Sequence, residues 1–168
     1  HFVVNLFKIG SFSDYIDTIN TKKDTTLLIS GRNDYYWHLD KGSFLGFIFS
    51  FFKAFLFYMF KPFFWEINSL SSLVFGIESV VRFTLLLFSM ILIVKTKGQK
   101  RRLYFLLLLI YLFIESIMAI GTVNAGTAWR HHQVAQWILI VLGGAGLISF
   151  IKKFIRSVLL LIFHKTKV

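Results

Sequence analysis

Three long apolar runs, separated by short polar segments, dominate the second half of the chain. The first follows Asn68 and Ser69, which are candidate helix caps, and continues to Val94. The other two are Leu103–Ile120 and Val134–Ile151, with 18 residues each. At about 1.5 Å per residue, a helix of that length is close to the thickness of a bilayer core. The pattern predicts an all-α integral membrane protein with three transmembrane helices.

The Phe-rich stretch Ser43–Phe60 has two interpretations. Its length would allow a fourth span, but Lys53 would then lie near the bilayer centre, at a cost of about 2.5–3.5 kcal/mol. An amphipathic helix in the membrane interface avoids that cost. The polar positions recur at spacings compatible with one helical face: Ser43, Gly46, Ser50, Lys53 and Lys61. We expect an interfacial or re-entrant helix, with a span as the alternative.

Composition and Pro62 divide the chain into four parts. We expect a polar extracytoplasmic segment over 1–42, which holds all five Asp residues, and then the interfacial or re-entrant helix and a Pro break over 43–66. A three-span membrane bundle follows over 69–151. Residues 152–168 form a basic cytoplasmic tail, predicted as a C-terminal helix that lies on the surface or extends the last span.

Composition supports the membrane assignment. Apolar residues make up 56% of the chain and mean hydropathy is +0.68, whereas soluble domains contain about 45–50% apolar residues. The net charge of +11 would suggest nucleic acid in a soluble protein. Here the basic residues flank apolar runs, so we expect a bilayer with anionic lipids as partner and no nucleic acid. The chain has no Cys, which excludes disulfide and thiolate chemistry.

Basic clusters set the predicted topology. Five Lys and Arg residues and no acid occupy the segment 95–102, which the positive-inside rule places in the cytoplasm. The span Leu103–Ile120 then delivers the segment 121–132 to the outer face, and the last span returns to the basic tail. An interfacial helix over 43–60 would place residues 1–42 on that same outer face.

The outer segment Gly121–His132 contains the candidate chemistry. Arg130 can bind phosphate with two parallel hydrogen bonds, and His131 can act as a base near neutral pH. Glu115, near the outer end of its span, is a second candidate base and would face a polar cavity or a structural partner. Further binding candidates are Asn124, Thr127 and Thr122. The alternative is a hydrophilic turn with an interfacial Trp129. Two adjacent His residues lack zinc-ligand spacing, so we expect no metal and no cofactor.

Two motifs resemble a known family. The run 124–132, with sequence NAGTAWRHH, is similar to an N-x-G-T-A-x-R-H-R segment of bacterial polysaccharide-polymerase-like multi-span membrane proteins. The run 60–66, with sequence FKPFFWE, is similar to their F-R-P-F-P-W-E, and the stretch from Ser30 to Ser43 to their Gly-rich segment. The resemblance covers about 28–140 and corresponds to the C-terminal part of those proteins. Lys61, Phe64 and His132 depart from the pattern.

The resemblance implies cell-envelope polysaccharide assembly at the bacterial cytoplasmic membrane. The substrate would be a polyprenyl-diphosphate-linked oligosaccharide, and the enzyme a metal-independent membrane glycosyltransferase or polymerase. Arg130 and Arg32 would bind the diphosphate, with His131 or Glu115 as base. Two alternatives stay open. The chain is a non-catalytic subunit or scaffold of a larger membrane complex, or part of a transporter or flippase, with Glu78, Arg82 and Glu115 along the path.

Overall fold

The computed structural model describes residues 12–30 and 38–165, and this part of the chain is helical without any β-strand. Five α-helices and one 3₁₀ turn follow each other along the chain: α1 Phe12–Ser30, α2 Phe44–Phe60, the 3₁₀ turn Phe64–Glu66, α3 Leu70–Lys95, α4 Gly98–Gly121 and α5 Ala125–Lys165. The predicted all-α class is confirmed. The polar segment 1–42, for which no helix was predicted, contains the helix α1.

Three of these helices are long and apolar enough to cross a membrane. The candidate spans are Leu70–Lys95, Gly98–Gly121 and Gly126–Ser157, with mean hydropathies of 2.1, 2.4 and 2.1 over their most apolar windows. Large apolar side chains on them point outward; Phe113, for example, is 67% exposed. Small or polar residues such as Ser89 and Ala135 are buried instead. This distribution is expected where the solvent is lipid, so the three predicted spans are confirmed in number and kind.

The connection between α3 and α4 is shorter than predicted. Helix α3 begins after Ser69, whose hydroxyl accepts a hydrogen bond from Ser72 N at 3.2 Å, and α3 ends at Lys95. Gly98 has φ +67°, a left-handed conformation that L-residues with side chains rarely adopt, and α4 begins there. The connection therefore has two residues, 96 and 97. The predicted basic loop 95–102 is wrong in this respect, because Lys100 and its neighbours form the first turn of α4.

Most of the segment 121–132, which was predicted to connect the last two spans, is helical. The side-chain oxygen of Asn124 accepts a hydrogen bond from Thr127 N at 2.9 Å, and Ala128 N donates to the Asn124 carbonyl at 3.0 Å. This N-cap starts α5 at Ala125 and leaves three residues, 122–124, as the turn. The predicted outer loop 121–132 is wrong in extent for this reason. At its other end, α5 continues without a break into the basic tail, which extends the last span.

The chain divides into two compact units, each described here separately. Unit 1 comprises residues 1–79 and 113–134, and unit 2 comprises 80–112 and 135–168. Within unit 2, the backbones of α3 and α5 approach closely at two glycines. A Cβ added at Gly143 would lie 2.7 Å from Leu85 Cα, and one at Gly146 would lie 2.9 Å from the Phe88 carbonyl carbon. Only glycine fits at these two positions.

Within unit 1, α2 packs through its polar and small residues. Ser50 accepts a hydrogen bond from Asp40 N at 2.9 Å, and its neighbours on the same face, Ala54 and Tyr58, are buried. The opposite face is apolar and exposed, with Phe49 at 74%. Seventeen residues extend about 25 Å at 1.5 Å each, short of the roughly 30 Å hydrocarbon core. The placement of α2 in the membrane interface, or as a re-entrant helix, stays a prediction.

Candidate functional site

The turn between α4 and α5 holds a hydrogen-bonded Thr–His pair. The Thr122 hydroxyl donates to the Met118 carbonyl at 2.8 Å and lies 2.8 Å from Nδ1 of His131. A hydroxyl has one hydrogen, so it must accept the second bond, and His131 therefore donates from Nδ1. In the neutral ring, Nε2 then carries the lone pair. Thr122 is buried and His131 is half-buried, so the pair fixes both the tautomer and the ring position of a candidate base.

A second pair lies buried beside it. His132 Nδ1 and Glu115 Oε2 are 2.7 Å apart, and their side chains are 2% and 1% exposed. The ring of Tyr58, from α2, packs on the imidazole with centroids 4.2 Å apart. Three helices of unit 1 therefore meet at His132. The arrangement is typical of a polar cluster that holds helices together in an apolar environment.

The second carboxylate oxygen of this cluster is unusual. Glu115 Oε1 is buried, and no residue in the described ranges donates a hydrogen bond to it. Leaving a buried acceptor unsatisfied costs roughly 1–3 kcal/mol. Because Glu115 is buried and bonded to His132, it contacts no ligand directly in this conformation. Its chemical influence would be exerted through the histidine, as a positioning group.

The predicted binding residues separate into structural and exposed ones. Asn124 is the N-cap of α5, and Thr127 contributes its backbone N–H to that cap. Arg130 is exposed, and its Nε donates to the Gly126 carbonyl at 3.3 Å. Within the described ranges, its terminal amino groups form no ion pair. Arg130 is therefore the predicted binding residue best placed to meet an anion, whereas Arg32 lies outside the described residues.

Sequence reasoning weighed Glu115 and His131 as alternative bases and overlooked His132. The length of the turn between α4 and α5 is what indicates that Glu115 and His132 lie side by side. With a turn over 122–124, Glu115 lies eight positions before the central residue, 123, and His132 lies nine after it. Antiparallel helices joined by a short turn bring such positions to the same level. The pairing was hidden because the turn was predicted to extend through residue 132.

Unit 1 also contains a polar cavity that the sequence did not reveal. Its volume is about 370 Å³, and it lies between α1 and the segment 38–41. A salt bridge of 2.9 Å joins Lys41 to Asp17 at its wall. The Asn20 amide accepts from Leu39 N at 3.0 Å and donates to the Leu39 carbonyl at 2.9 Å, and Thr21 and Asp24 add a hydroxyl and a carboxylate. Such a lining can both donate and accept hydrogen bonds, which is the chemistry that recognises sugar hydroxyls.

Two further observations limit which functions can be assigned to the site. Among the described residues, no three His, Cys, Asp or Glu side chains are grouped as a metal site requires, and the expectation of a protein without metal or cofactor stays a prediction. Comparison of the chain with protein-family models, with curated proteins and with solved structures found no match. The fold and the site therefore define a class, an all-helical protein with three helices able to cross a membrane, and the function is argued from the site alone.

Proposed function

We propose that this protein acts in cell-envelope polysaccharide assembly and binds a polyprenyl-diphosphate-linked glycan at the extracytoplasmic face of the membrane. The observation that carries the proposal is the exposed Arg130, one residue away from the oriented base His131. A guanidinium matches the geometry of phosphate oxygens. The resemblance of the run 124–132 to polysaccharide-polymerase-like proteins supports the same substrate class.

The proposed chemistry assigns one role to each group. An acceptor sugar hydroxyl attacks the anomeric carbon, the new glycosidic bond forms, and the bond from that carbon to the diphosphate oxygen breaks. The hydroxyl proton passes to Nε2 of His131, which the Thr122 hydroxyl holds in the required tautomer. Arg130 stabilises the charge on the departing diphosphate. The Glu115–His132 pair fixes the helix that carries both residues.

The polar cavity of unit 1 supplies a candidate site for the sugars. Its volume of about 370 Å³ falls within the common range for ligand pockets. Its carboxylates and the Thr21 hydroxyl suit sugar hydroxyl groups, and the residues that line the cavity belong to the segment predicted on the outer face. The proposal therefore places the glycan on α1 and the diphosphate at the start of α5, both in unit 1.

A non-catalytic subunit is the second candidate, and the burial of the polar cluster favours it. Thr122, Glu115 and His132 are at most 2% exposed, which fits a role in holding helices together. In that case Arg130 would only anchor the end of α5 among lipid headgroups. The two candidate functions predict different outcomes for the substitution Arg130→Lys.

The test compares Arg130→Ala, Arg130→Lys and the matched control Arg156→Ala, an exposed arginine further along the same helix. Full-length protein is expressed at equal levels in cells that depend on it, and envelope glycan chain length is measured. If Arg130 binds diphosphate, the lysine variant fails nearly as badly as the alanine variant, because Lys lacks the planar fork. The control keeps normal chains. Normal glycan with Arg130→Ala would overturn the catalytic proposal and favour the subunit.

A further inference from the structure

Unit 2 contains a cavity that the proposed function does not use. Its volume is about 650 Å³, and it lies between the end of α3 and the start of α4. Four apolar side chains and two guanidinium groups define its chemistry: Met90, Ile93, Phe105, Leu108, Arg101 and Arg102. The apolar residues come from both helices and form the walls of the cavity. The two arginines lie where the cavity meets the start of α4. The cavity is therefore amphipathic along its length.

The two arginines have no use inside the protein. Both are exposed, and within the described ranges no ion pair or hydrogen bond joins either side chain to another protein group. They lie in the first turn of α4, together with Lys100, where the helix dipole disfavours positive charge. Internal packing and intrahelical electrostatics therefore do not account for them. An external anion would be attracted to both guanidinium groups.

We propose that this cavity binds an anionic phospholipid. Its phosphate would contact Arg101 and Arg102, and an acyl chain would lie along Met90 and Phe105, which are 53% and 52% exposed. Charge complementarity selects the headgroup, and the apolar walls select a lipid over a soluble phosphate. The basic segment 95–102 is predicted on the cytoplasmic side, where anionic lipids of the inner leaflet are within reach. The site is independent of the glycan proposal, since it lies wholly in unit 2.

The experiment measures lipid retention by native mass spectrometry of the full chain in mixed micelles. Phosphatidylglycerol and phosphatidylcholine with matched acyl chains are offered at equal concentrations. The variant Arg101→Gln/Arg102→Gln is compared with Lys152→Gln/Lys153→Gln, which removes the same charge from exposed positions outside the cavity. We expect the wild type to retain phosphatidylglycerol preferentially. The variant Arg101→Gln/Arg102→Gln should bind phosphatidylglycerol at least about tenfold more weakly, because it loses two charge-assisted contacts. The variant Lys152→Gln/Lys153→Gln should weaken this binding by less than about twofold.

Two further arms separate the possible ligands. Val94→Trp narrows the cavity from an exposed position and should also weaken phosphatidylglycerol retention, because the acyl chain loses its place. Inorganic phosphate at millimolar concentration should not displace the lipid. Equal retention of both lipids, equal losses in the two double variants, unchanged retention with Val94→Trp, or displacement by phosphate would each overturn the proposal.

Discussion

The close approach of α3 and α5 gives the sharpest test of the packing in unit 2. A Cβ at Gly143 would lie 2.7 Å from Leu85 Cα, and one at Gly146 would lie 2.9 Å from the Phe88 carbonyl carbon. Both Cβ atoms would lie closer still to the carbonyl oxygens of those residues. The adjacent Gly144 meets nothing within 4 Å. Alanine should therefore be harmful at the first two positions and harmless at Gly144.

The magnitude follows from the distances. Moving the Cβ at Gly143 out to an ordinary contact of 3.4 Å from Leu85 Cα requires the helices to separate by about 0.7 Å, and relieving the closer carbonyl oxygen requires more. A gap of that size forfeits about a quarter to a half of each lost dispersion contact, and overpacking costs roughly 1–3 kcal/mol. Every Gly→Ala change also gains up to about 1 kcal/mol of helix propensity. Gly144→Ala gains the same helix propensity without the clash. The difference in the free energy of unfolding between Gly144→Ala and Gly143→Ala therefore gives the packing cost alone, about 1–3 kcal/mol.

The assay is reversible unfolding of the full chain in mixed micelles, followed by circular dichroism against increasing denaturing detergent. We expect Gly143→Ala and Gly146→Ala to unfold earlier than the wild type, and Gly144→Ala to unfold at the same point or later. If all three variants are equally stable, the two backbones do not approach as the structure has them. The account of why glycines are needed there would then be refuted.

Three further predictions follow. Because the chain has no native Cys, a single Cys probe at Gln99 should label from the cytoplasmic side and one at Gly126 from the outer side, and labelling of both from one side would show that α4 does not cross the membrane. Glu115→Ala should lower the free energy of unfolding by about 3 kcal/mol, because its buried histidine partner loses its hydrogen bond; a loss below about 1 kcal/mol would show that the pair is not structural. Burial lowers the pKa of Lys23 from 10.5 to about 8. The folded state then binds fewer protons than the unfolded state between these values, so stability should rise from pH 8 to 10.5, and a Lys23→Met variant that keeps the whole rise would contradict the assignment.

The three spans were predictable because hydropathy over a long window decides them. Each has a mean hydropathy above 2, and no local signal competes with a run of that length. The N-cap of α3 was predictable to within two residues, Asn68 and Ser69, for a different reason. A hydroxyl residue directly before an apolar run has few other uses, and its side chain satisfies an N–H group that the helix leaves without a partner.

The turns were not predictable from polarity. Polar residues are favoured in the first and last turns of helices as well as in loops, so the segment 121–132 resembled a loop. Its conformation depends on one hydrogen bond, from Thr127 N to the Asn124 side chain. At 95–102 it depends on the left-handed conformation of Gly98. Single contacts of this kind shift a helix end by several residues without changing the average composition.

The candidate site was only partly predictable. The sequence pointed to the segment 121–132 and to Arg130 and His131, because a guanidinium suits phosphate and an imidazole can take up a proton, and their role stays a prediction. It could not show that Glu115 pairs with His132, since that depends on the register between two helices. Nor could it place Tyr58 on the imidazole, because α2 is distant in sequence and its packing is decided by tertiary contacts.

The length of α5 has a consequence for the range over which its charges act. With Val134–Ile151 in the hydrocarbon, the helix continues for 14 residues to Lys165, about 21 Å at 1.5 Å per residue. The Debye length at physiological ionic strength is about 8 Å. Lys152 and Lys153 directly follow the stretch Val134–Ile151, so they would lie within about one screening length of the lipid surface. Their attraction to anionic headgroups should therefore weaken as salt is raised.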